Sequence, residues 1–322
     1  MSDIFDLSKY KKLNRIGHGG FGDVYKIADK NTNDFFAAKI LRNTLIDDPN
    51  SILELRREIN ILYRLHHPSV VKFIGYSPVD FSKQFHPVLV TEYCKNGSLR
   101  GIFNQQRQLR SRPILDDTQK LINIYGIASA MSFLHSHNIL HRDLKPENIL
   151  EDDYLFPKIT DFGLSKILHE NADSMTTQSL SHRLGTPMYM APELFDFECE
   201  SSKQMDVYAF SFIMYEILTL KQPFEDVKFN HRDPMQVFNV VVIRQMRPNI
   251  PETIPNCYKK LIEKCWSHNP NDRPSFSKIV EELETNKEFI TNSINKDKYY
   301  NYINYIKSQG QSFDKNKKFD KI

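Results

Sequence analysis

Residues 141–148 (His-Arg-Asp-Leu-Lys-Pro-Glu-Asn) constrain this 322-residue chain more than any other feature. They place three chemically useful side chains within one turn of chain. Asp143 can accept a proton from a hydroxyl group, Lys145 can face the charge of a phosphate, and Asn148 can bind a magnesium ion. So long and specific a run rarely arises by chance, and the fold has to present these three groups together.

A glycine-rich motif precedes this run and fits the pattern G-x-G-x-x-G-x-V. Glycines allow positive φ angles and let backbone N–H groups approach a polyphosphate closely. On its own the motif is a weak signal, because a glycine-rich hairpin without a ligand can have the same sequence. The candidate nucleotide-binding residues here are Ile16, Gly17, His18, Gly19, Gly20, Phe21, Gly22, Asp23 and Val24.

Further motifs follow in a fixed order. Residues 35–41 form a strand-like segment with a lysine, residues 161–163 read Asp-Phe-Gly, and residues 185–193 end in Ala-Pro-Glu. Together with the two motifs above, they resemble the motifs of eukaryotic-type protein kinases. Cys-Trp at residues 265–266 and Arg-Pro at residues 273–274 resemble the tyrosine kinases and the tyrosine-kinase-like group of serine/threonine kinases.

The resemblance covers about residues 10–285 and implies an α+β, bilobal protein kinase fold. A small β-rich lobe is expected over residues 10–93 and a larger, mostly helical lobe over residues 94–285. Residues 1–9 are then an N-terminal extension, and residues 286–322 are a tail rich in Asn, Lys and Tyr.

The resemblance also implies roles around the phosphates of ATP. Lys39 would bind the α- and β-phosphates, and Glu58 would hold Lys39 in place. Asn148 and Asp161 would bind Mg²⁺, with Mn²⁺ as an alternative, and Asp143 would act as the base. The predicted catalytic residues are therefore Asp143, Lys145, Asn148, Lys39 and Glu58, and the predicted metal ligands are Asn148 and Asp161.

The adenine pocket is assigned by the same resemblance. Thr91 would lie at its back, Glu92 and Cys94 would offer backbone groups to the base, and Leu150 would lie under it. Ala37 is small enough to line a flat ring, in a segment where the usual Val-Ala-Ile-Lys becomes Phe-Ala-Ala-Lys and keeps the lysine. The alternative for Cys94 is a simple buried thiol.

Residues 51–65 are predicted to form an amphipathic helix, because apolar residues recur there at helical spacing. Ser51 and Glu54 fit a capping box at its start. Glu54 competes with Glu58 as the partner of the lysine. We favour Glu58, since the capping box already explains Glu54 and Glu58 lies one turn before the apolar Leu62.

Residues 206–218 are apolar nearly all round, which predicts a helix buried in the large lobe. By the resemblance, Asp206 would hold the backbone of the catalytic loop. Arg273 would form a buried ion pair with Glu193, and such a pair is costly to break because a lone charge remains inside.

Lys145 and Thr186 favour serine or threonine as the acceptor, because tyrosine kinases typically carry Ala and Arg near the lysine position. Dual specificity or tyrosine phosphorylation is the alternative. A pseudokinase scaffold, which has the kinase shape but no chemistry, would be expected to lack Lys39, Asp143, Asn148 or Asp161, and all four are present. A small-molecule phosphotransferase is disfavoured by the intact segment 185–193.

Hydroxyl-bearing residues between the Asp-Phe-Gly and Ala-Pro-Glu motifs suggest a regulatory switch. Phosphorylation of Thr177, Ser179 or Ser181, by an upstream kinase or by the chain itself, would place a phosphate where Arg142 can bind it. Thr186 is excluded, since its hydroxyl is assigned to the catalytic loop.

Composition limits the other classes of function. A net charge of +3 gives no argument for nucleic acid or a membrane surface, and four cysteines without metal or disulfide spacing suit a reducing compartment. The N-terminus lacks the features of a signal peptide, and we find no apolar run long enough to span a bilayer. A cytoplasmic location and protein substrates are expected. In the tail, part is expected to form a docked helix, and the last dozen residues are predicted to be disordered.

Overall fold

The computed structural model describes residues 4–18, 22–42, 49–108, 113–167, 186–196, 201–314 and 317, and for residues 49–54 it describes the backbone alone. The small lobe is built on strands β1 (Tyr10–His18), β2 (Gly22–Asp29), β3 (Phe35–Leu41), β5 (Phe73–Ser77) and β6 (Val88–Glu92), with helix α1 (Pro49–Arg64) followed by the short strand β4 (Leu65–His66). The five longer strands form an antiparallel sheet in the order β1-β2-β3-β6-β5.

Strand β3 presents its two faces to different surroundings. Ala38 is fully buried in a small core, whereas Ala37 and Lys39 point to the opposite face because side chains alternate along a strand. That opposite face looks toward α1 and the cleft between the lobes. The small core consists of Leu7, Ile27, Ala38, Val88 and Val90.

Helix α1 begins earlier than the sequence pattern predicts. Pro49 is its first residue, so Ser51 lies inside the helix and the prediction of a cap at Ser51 is wrong. Proline suits the first helical position, where its missing N–H would have no intrahelical partner and its φ is already helical. The side chain of Glu54 lies outside the described part of the structure.

The large lobe consists mainly of helices, and its central pair is buried on all sides. These are α3 (Asp117–Ser136) and α4 (Lys203–Thr219), and α4 contains the predicted apolar run, with every residue from Met205 to Ile217 buried. The predicted buried helix is thus confirmed, as is the α+β, bilobal fold. Around these helices lie α2 (Leu99–Gln108), α5 (Pro234–Phe238), α6 (Asn256–Cys265) and α7 (Phe276–Thr285). The lobe also has two small sheets of two strands each. In one, β7 (Ile139–Leu140) pairs with β10 (Lys166–Ile167), and in the other, β8 (Ile149–Glu151) pairs with β9 (Pro157–Ile159).

The tail packs against the rest of the molecule. Helix α8 (Lys296–Ser308) lies on α3, which confirms the prediction of a docked helix in the tail. Strand β11 (Ser312–Phe313) then pairs antiparallel with β4 in the small lobe. The prediction of disorder over the last dozen residues is therefore wrong for residues 312–314. Their polar neighbours suggest disorder, but Phe313 is an aromatic anchor for the segment.

None of the helices in the described ranges is both long and apolar enough to cross a membrane. The three described cysteines, Cys94, Cys257 and Cys265, are buried free thiols.

Candidate active site

The backbone of the loop that follows β7 is hydrogen-bonded to a buried carboxylate. Asp206 on α4 accepts hydrogen bonds from the backbone N–H groups of His141 (3.0 Å) and Arg142 (2.9 Å), and its Oδ2 lies 2.8 Å from His135 Nε2. Burial raises the pKa of Asp206, but His135, His141 and the backbone N–H group of Arg142 together outweigh it and keep the pKa below its usual range. Arg142 has a φ of 70°, so these bonds hold the loop in a conformation that L-residues rarely adopt. The sequence pattern predicts the role of Asp206 but gives no sign of the contact with His135.

The predicted base and its neighbours form one cluster. Lys145 Nζ lies 2.6 Å from Asp143 Oδ2 and 3.0 Å from Thr186 Oγ1. The N–H group of Thr186 donates to Asp143 Oδ1 at 3.3 Å, and Asn148 Nδ2 donates to Asp143 Oδ2 at 3.0 Å. The structure thus brings Asp143, Lys145 and Asn148 together with Thr186, whose hydroxyl the sequence assigned to the catalytic loop.

The predicted phosphate-binding lysine lies between two carboxylates. Lys39 Nζ is 2.9 Å from Glu58 Oε2 and 3.2 Å from Asp161 Oδ1. Burial lowers the pKa of Lys39, but the charges of Asp161 and Glu58 outweigh burial and raise it. Lys39 in turn lowers the pKa of Asp161. The lysine is therefore positively charged and Asp161 ionised at neutral pH, as phosphate and metal binding would require.

The Asp-Phe-Gly motif has its phenylalanine inside and its aspartate in the cleft. Phe162 is fully buried and packs against His141, with ring centroids 5.2 Å apart. Asp161 has a φ of 66°, an uncommon conformation for a residue other than glycine. Such backbone geometry persists only where the surroundings fix it. Here the buried ring and the ion pair with Lys39 fix it together.

Asn148 and Asp161 fit a divalent cation chemically. Amide and carboxylate oxygens are the ligands that Mg²⁺ prefers. Asn148 directs its amide nitrogen to Asp143, both to the backbone oxygen at 2.8 Å and to the carboxylate, so its amide oxygen is turned away from that residue. Both residues could therefore contribute oxygen ligands in the cleft between the lobes.

The predicted adenine pocket is assembled from β3, β6 and β8. Ala37 and Thr91 are direct partners in the β3–β6 ladder, and the chain continues from Thr91 through Glu92 to the buried Cys94. Burial raises the pKa of Cys94, which is then a neutral thiol, and its backbone groups remain the predicted contact. Leu150 is half-buried, in contrast to its buried neighbours in β8.

The glycine motif spans the turn between β1 and β2. Gly19, Gly20 and Phe21 lie outside the described residues, whereas the flanking positions are paired, with Gly17 opposite Val24 and His18 opposite Asp23. His18 Nδ1 is 2.7 Å from Asp23 Oδ1. A Cβ atom at Gly22 would collide with the Ile40 carbonyl oxygen of β3, so this position requires glycine. The described flanks also include Ile16, which is 43% exposed.

Two ionic clusters support the loops of the large lobe. Arg273, whose side chain is fully buried, forms a two-point ion pair with Glu193 at 2.6 and 2.8 Å, as expected. In the second cluster, which was not predicted, Arg100 pairs with Glu216 of α4 at 2.5 Å and with Glu147 of the catalytic loop at 2.8 Å. A glutamate inside an apolar helix was the available signal, since a buried carboxylate needs a partner.

Thr177, Ser179 and Ser181, the predicted switch residues, lie outside the described part of the chain. Ser165, at the start of the same segment, is fully buried and donates to the His141 carbonyl at 3.3 Å.

Comparisons with known proteins agree with this geometry. Residues 10–283 match the family model described as the protein kinase domain. A putative serine/threonine-protein kinase/receptor, R826, of Acanthamoeba polyphaga mimivirus is 33% identical over 279 residues, which cover 86% of this chain and 15% of the relative.

Two cellular relatives give the same result. The dual specificity protein kinase splA of Dictyostelium discoideum is 33% identical, with 84% of this chain and 11% of the relative covered. The serine/threonine-protein kinase CTR1 of Arabidopsis thaliana is 35% identical, with 84% of this chain and 30% of the relative covered. The chain thus spans less than a third of the length of each of these three relatives.

Proposed function

The chain belongs to the protein kinase family, and from this premise we propose that it transfers the γ-phosphate of ATP to serine and threonine hydroxyls of proteins. The cluster of Asp143, Lys145 and Thr186 is the observation that carries the proposal. The Asp143 carboxylate can accept a proton, and the Lys145 ammonium can bind a phosphate. Lys145 Nζ lies 2.6 Å from Asp143 Oδ2 and 3.0 Å from Thr186 Oγ1. The charge of Lys145 also lowers the pKa of Asp161, the carboxylate that pairs with Lys39, which supports transfer between the lobes.

The reaction follows from these positions. The substrate hydroxyl oxygen forms a bond to the γ-phosphorus while the bond from that phosphorus to the β,γ-bridging oxygen breaks. Asp143 orients the hydroxyl and takes its proton, and ADP leaves with the bond's electron pair. Lys145 and Lys39 stabilise the charge on the phosphate oxygens, so catalysis depends mainly on positioning and electrostatics.

A divalent metal completes the site. Asn148 and Asp161 would hold it, and when bound it neutralises charge on the phosphates. We propose Mg²⁺, with Mn²⁺ as the alternative, because the ligand atoms are oxygens. A cytoplasmic location remains a prediction from the cysteine pattern.

The choice of acceptor is tested by phosphoamino-acid analysis of a generic protein substrate labelled with ATP. We expect phosphoserine and phosphothreonine, because Lys145 and Thr186 lie together at the base. A product dominated by phosphotyrosine would overturn the proposal in favour of a tyrosine kinase, and a mixture of all three phosphoamino acids would support dual specificity, as in the name of the splA relative.

Asp143→Asn is the matching test of the base. It should lower kcat about 10²- to 10⁴-fold, the usual effect of losing a general base, and leave ATP binding largely intact. Asp153→Asn is the control, since Asp153 is an exposed carboxylate ten residues further along the chain. If both variants turn over at the wild-type rate, Asp143 is not the base.

We also propose that phosphorylation of Thr177, Ser179 or Ser181 activates the enzyme. The proposal depends on the position of these hydroxyls just before Thr186 and on Arg142 beside the base. The triple alanine variant and phosphatase-treated wild type should be equally slow, and untreated wild type faster. Equal rates for all three would exclude the switch, and activation of purified chain by ATP alone would identify self-phosphorylation.

A further inference from the structure

The segment at residues 312–314 crosses from the large lobe to the small lobe, and we call it the C-terminal strap. It extends the chain beyond α8 and pairs with β4, the two residues that directly follow α1. The N–H group of Asp314 donates to the Arg64 carbonyl at 3.1 Å, and Arg64 Nε donates back to the Asp314 carbonyl at 3.1 Å. Arg64 is the last residue of α1. The strap is therefore hydrogen-bonded to the end of that helix.

Phe313 joins the two lobes through its ring. The guanidinium carbon of Arg64 lies 4.5 Å from the ring centroid, and the His137 ring at the end of α3 lies 5.1 Å from it. A cation facing an aromatic ring is attracted to it by the ring's quadrupole. One side chain of the strap thus contacts the small lobe and the large lobe at once.

The strap is fixed at its other end by α8. Tyr302 of α8 is buried, and its hydroxyl lies 3.0 Å from Ser69 Oγ in the segment after β4. Tyr299 is fully buried and donates to the Leu283 carbonyl of α7 at 3.0 Å. Because α8 is held in the large lobe, the strap can act as a fixed support and not as a loose end.

Other hydrogen bonds between the lobes involve residues 69–71, which follow β4 in the chain. The N–H group of Ile159 donates to the Ser69 carbonyl at 2.8 Å, and the N–H group of Val71 donates to the Ile159 carbonyl at 2.9 Å. These bonds tie the segment before β5 to β9. The last turn of α1 buries Ile61 and Leu62 in the core that extends into the large lobe, and the strap adds contacts at Arg64 through hydrogen bonds and the ring of Phe313.

We propose that the C-terminal strap positions α1 and, through it, the Glu58 carboxylate that holds Lys39. Glu58 and Arg64 lie six residues apart on one helix, about 9 Å along its axis, so a displacement at one is transmitted to the other. Residues 312–314 are thus positioning residues for ATP binding. The inference rests on the proposed kinase activity, but it can also be measured without turnover.

The first experiment compares Asp314→Pro with Asp314→Ala in the full chain. Proline removes the N–H group that donates to Arg64, whereas alanine keeps it, and an extended residue such as Phe313 tolerates a following proline. Asp314→Pro should raise the KM for ATP about 2- to 10-fold, the effect of losing one hydrogen bond, with a smaller change in kcat. Asp314→Ala also loses the carboxylate, so the KM of Asp314→Pro is compared with that of Asp314→Ala, and the difference isolates the backbone N–H group.

The second experiment repeats Asp314→Pro in a Glu58→Gln background. If the strap works through Glu58, proline should change the KM for ATP less than 2-fold once that carboxylate is gone, because coupled residues are not additive. Equal effects in both backgrounds, or a proline variant identical to alanine, would overturn the proposal.

Hydrogen exchange of α1 provides a readout that does not depend on activity. Amides of residues 55–64 should exchange faster in Asp314→Pro than in Asp314→Ala, while those of α4 should be unchanged. If exchange is faster in Asp314→Pro and the wild-type chain has no kinase activity, the strap is supported and the proposed activity is not. If exchange is the same in both variants and the wild-type chain is active, the strap alone is rejected.

Discussion

In the large lobe, Asp143 lies on a loop whose backbone is bonded to the buried Asp206, whereas in the small lobe Lys39 depends on a side chain carried by a helix. Asp206 sits on α4, which is enclosed on all sides. Glu58 sits on α1, which has the sheet on one side and the C-terminal strap at its end. One half of the active site is thus positioned through backbone hydrogen bonds to a buried helix, and the other half through an ion pair with a side chain.

The cores of the lobes differ in the same way. One face of the described small-lobe sheet packs in a separate cluster of five apolar residues, whereas the larger core runs from α1 and the other face of the sheet through α3, α4, α6 and α7. Regions with fewer buried contacts open at a lower free energy. Asp143 therefore lies in the enclosed lobe, whereas the sheet that carries Lys39 opens more easily on its outer face.

The largest effect on stability is expected from Arg273→Leu. It removes both ion-pair contacts to Glu193 and leaves that carboxylate without its partner. The free energy of unfolding should fall by about 3–5 kcal/mol, measured by urea denaturation. Arg232→Leu, at an exposed arginine, should stay within about 0.5 kcal/mol of wild type. Equal losses in both variants would show that the buried pair is not special.

A smaller effect, on catalysis and not on folding, is expected from Glu58→Gln. The substitution keeps the size of the side chain but removes the charge that holds Lys39. Activity should fall about 10- to 100-fold, since a hydrogen bond to a charged group contributes about 1.5–3 kcal/mol. Glu263→Gln, at an exposed site in α6, is the control. A loss of stability as large as that of Arg273→Leu would contradict the difference between the lobes.

The smallest effect concerns His67, at the junction of the lobes. Burial lowers the pKa of His67 to about 3, whereas an unfolded histidine titrates near 6.5. Below pH 6.5 the unfolded chain binds a proton that the folded chain excludes, so stability is full above that pH and falls as pH decreases. Between pH 7 and pH 5 the loss should be about 2 kcal/mol.

The matched test compares His67→Gln with His66→Gln, because His66 is exposed. Unfolding free energies at pH 7 and pH 5 should show a shallower dependence on pH for His67→Gln than for His66→Gln. A His67→Gln slope identical to wild type would mean that another group causes the loss.

Much of the site could be predicted from the chain because its motifs are local. The run at residues 141–148 fixes which side chains lie together within one turn, and the apolar residues 206–218 predict a buried helix wherever it packs. The sequence favours Glu58 over Glu54 on two grounds, its helical spacing from Leu62 and a capping box at Ser51, and the structure removes the second. The start of α1 was missed, since a proline at the first helical position competes with a plausible cap two residues later.

The sequence by itself determined which groups could do chemistry, because residue types and short spacings decide donors, acceptors and charges. Tertiary structure decided which distant groups meet. Arg100 reaches Glu216 across 116 positions, and the strap reaches Arg64 across 250. Such contacts depend on how helices and strands pack, and a polar composition like that of the tail does not reveal that one phenylalanine will join two lobes.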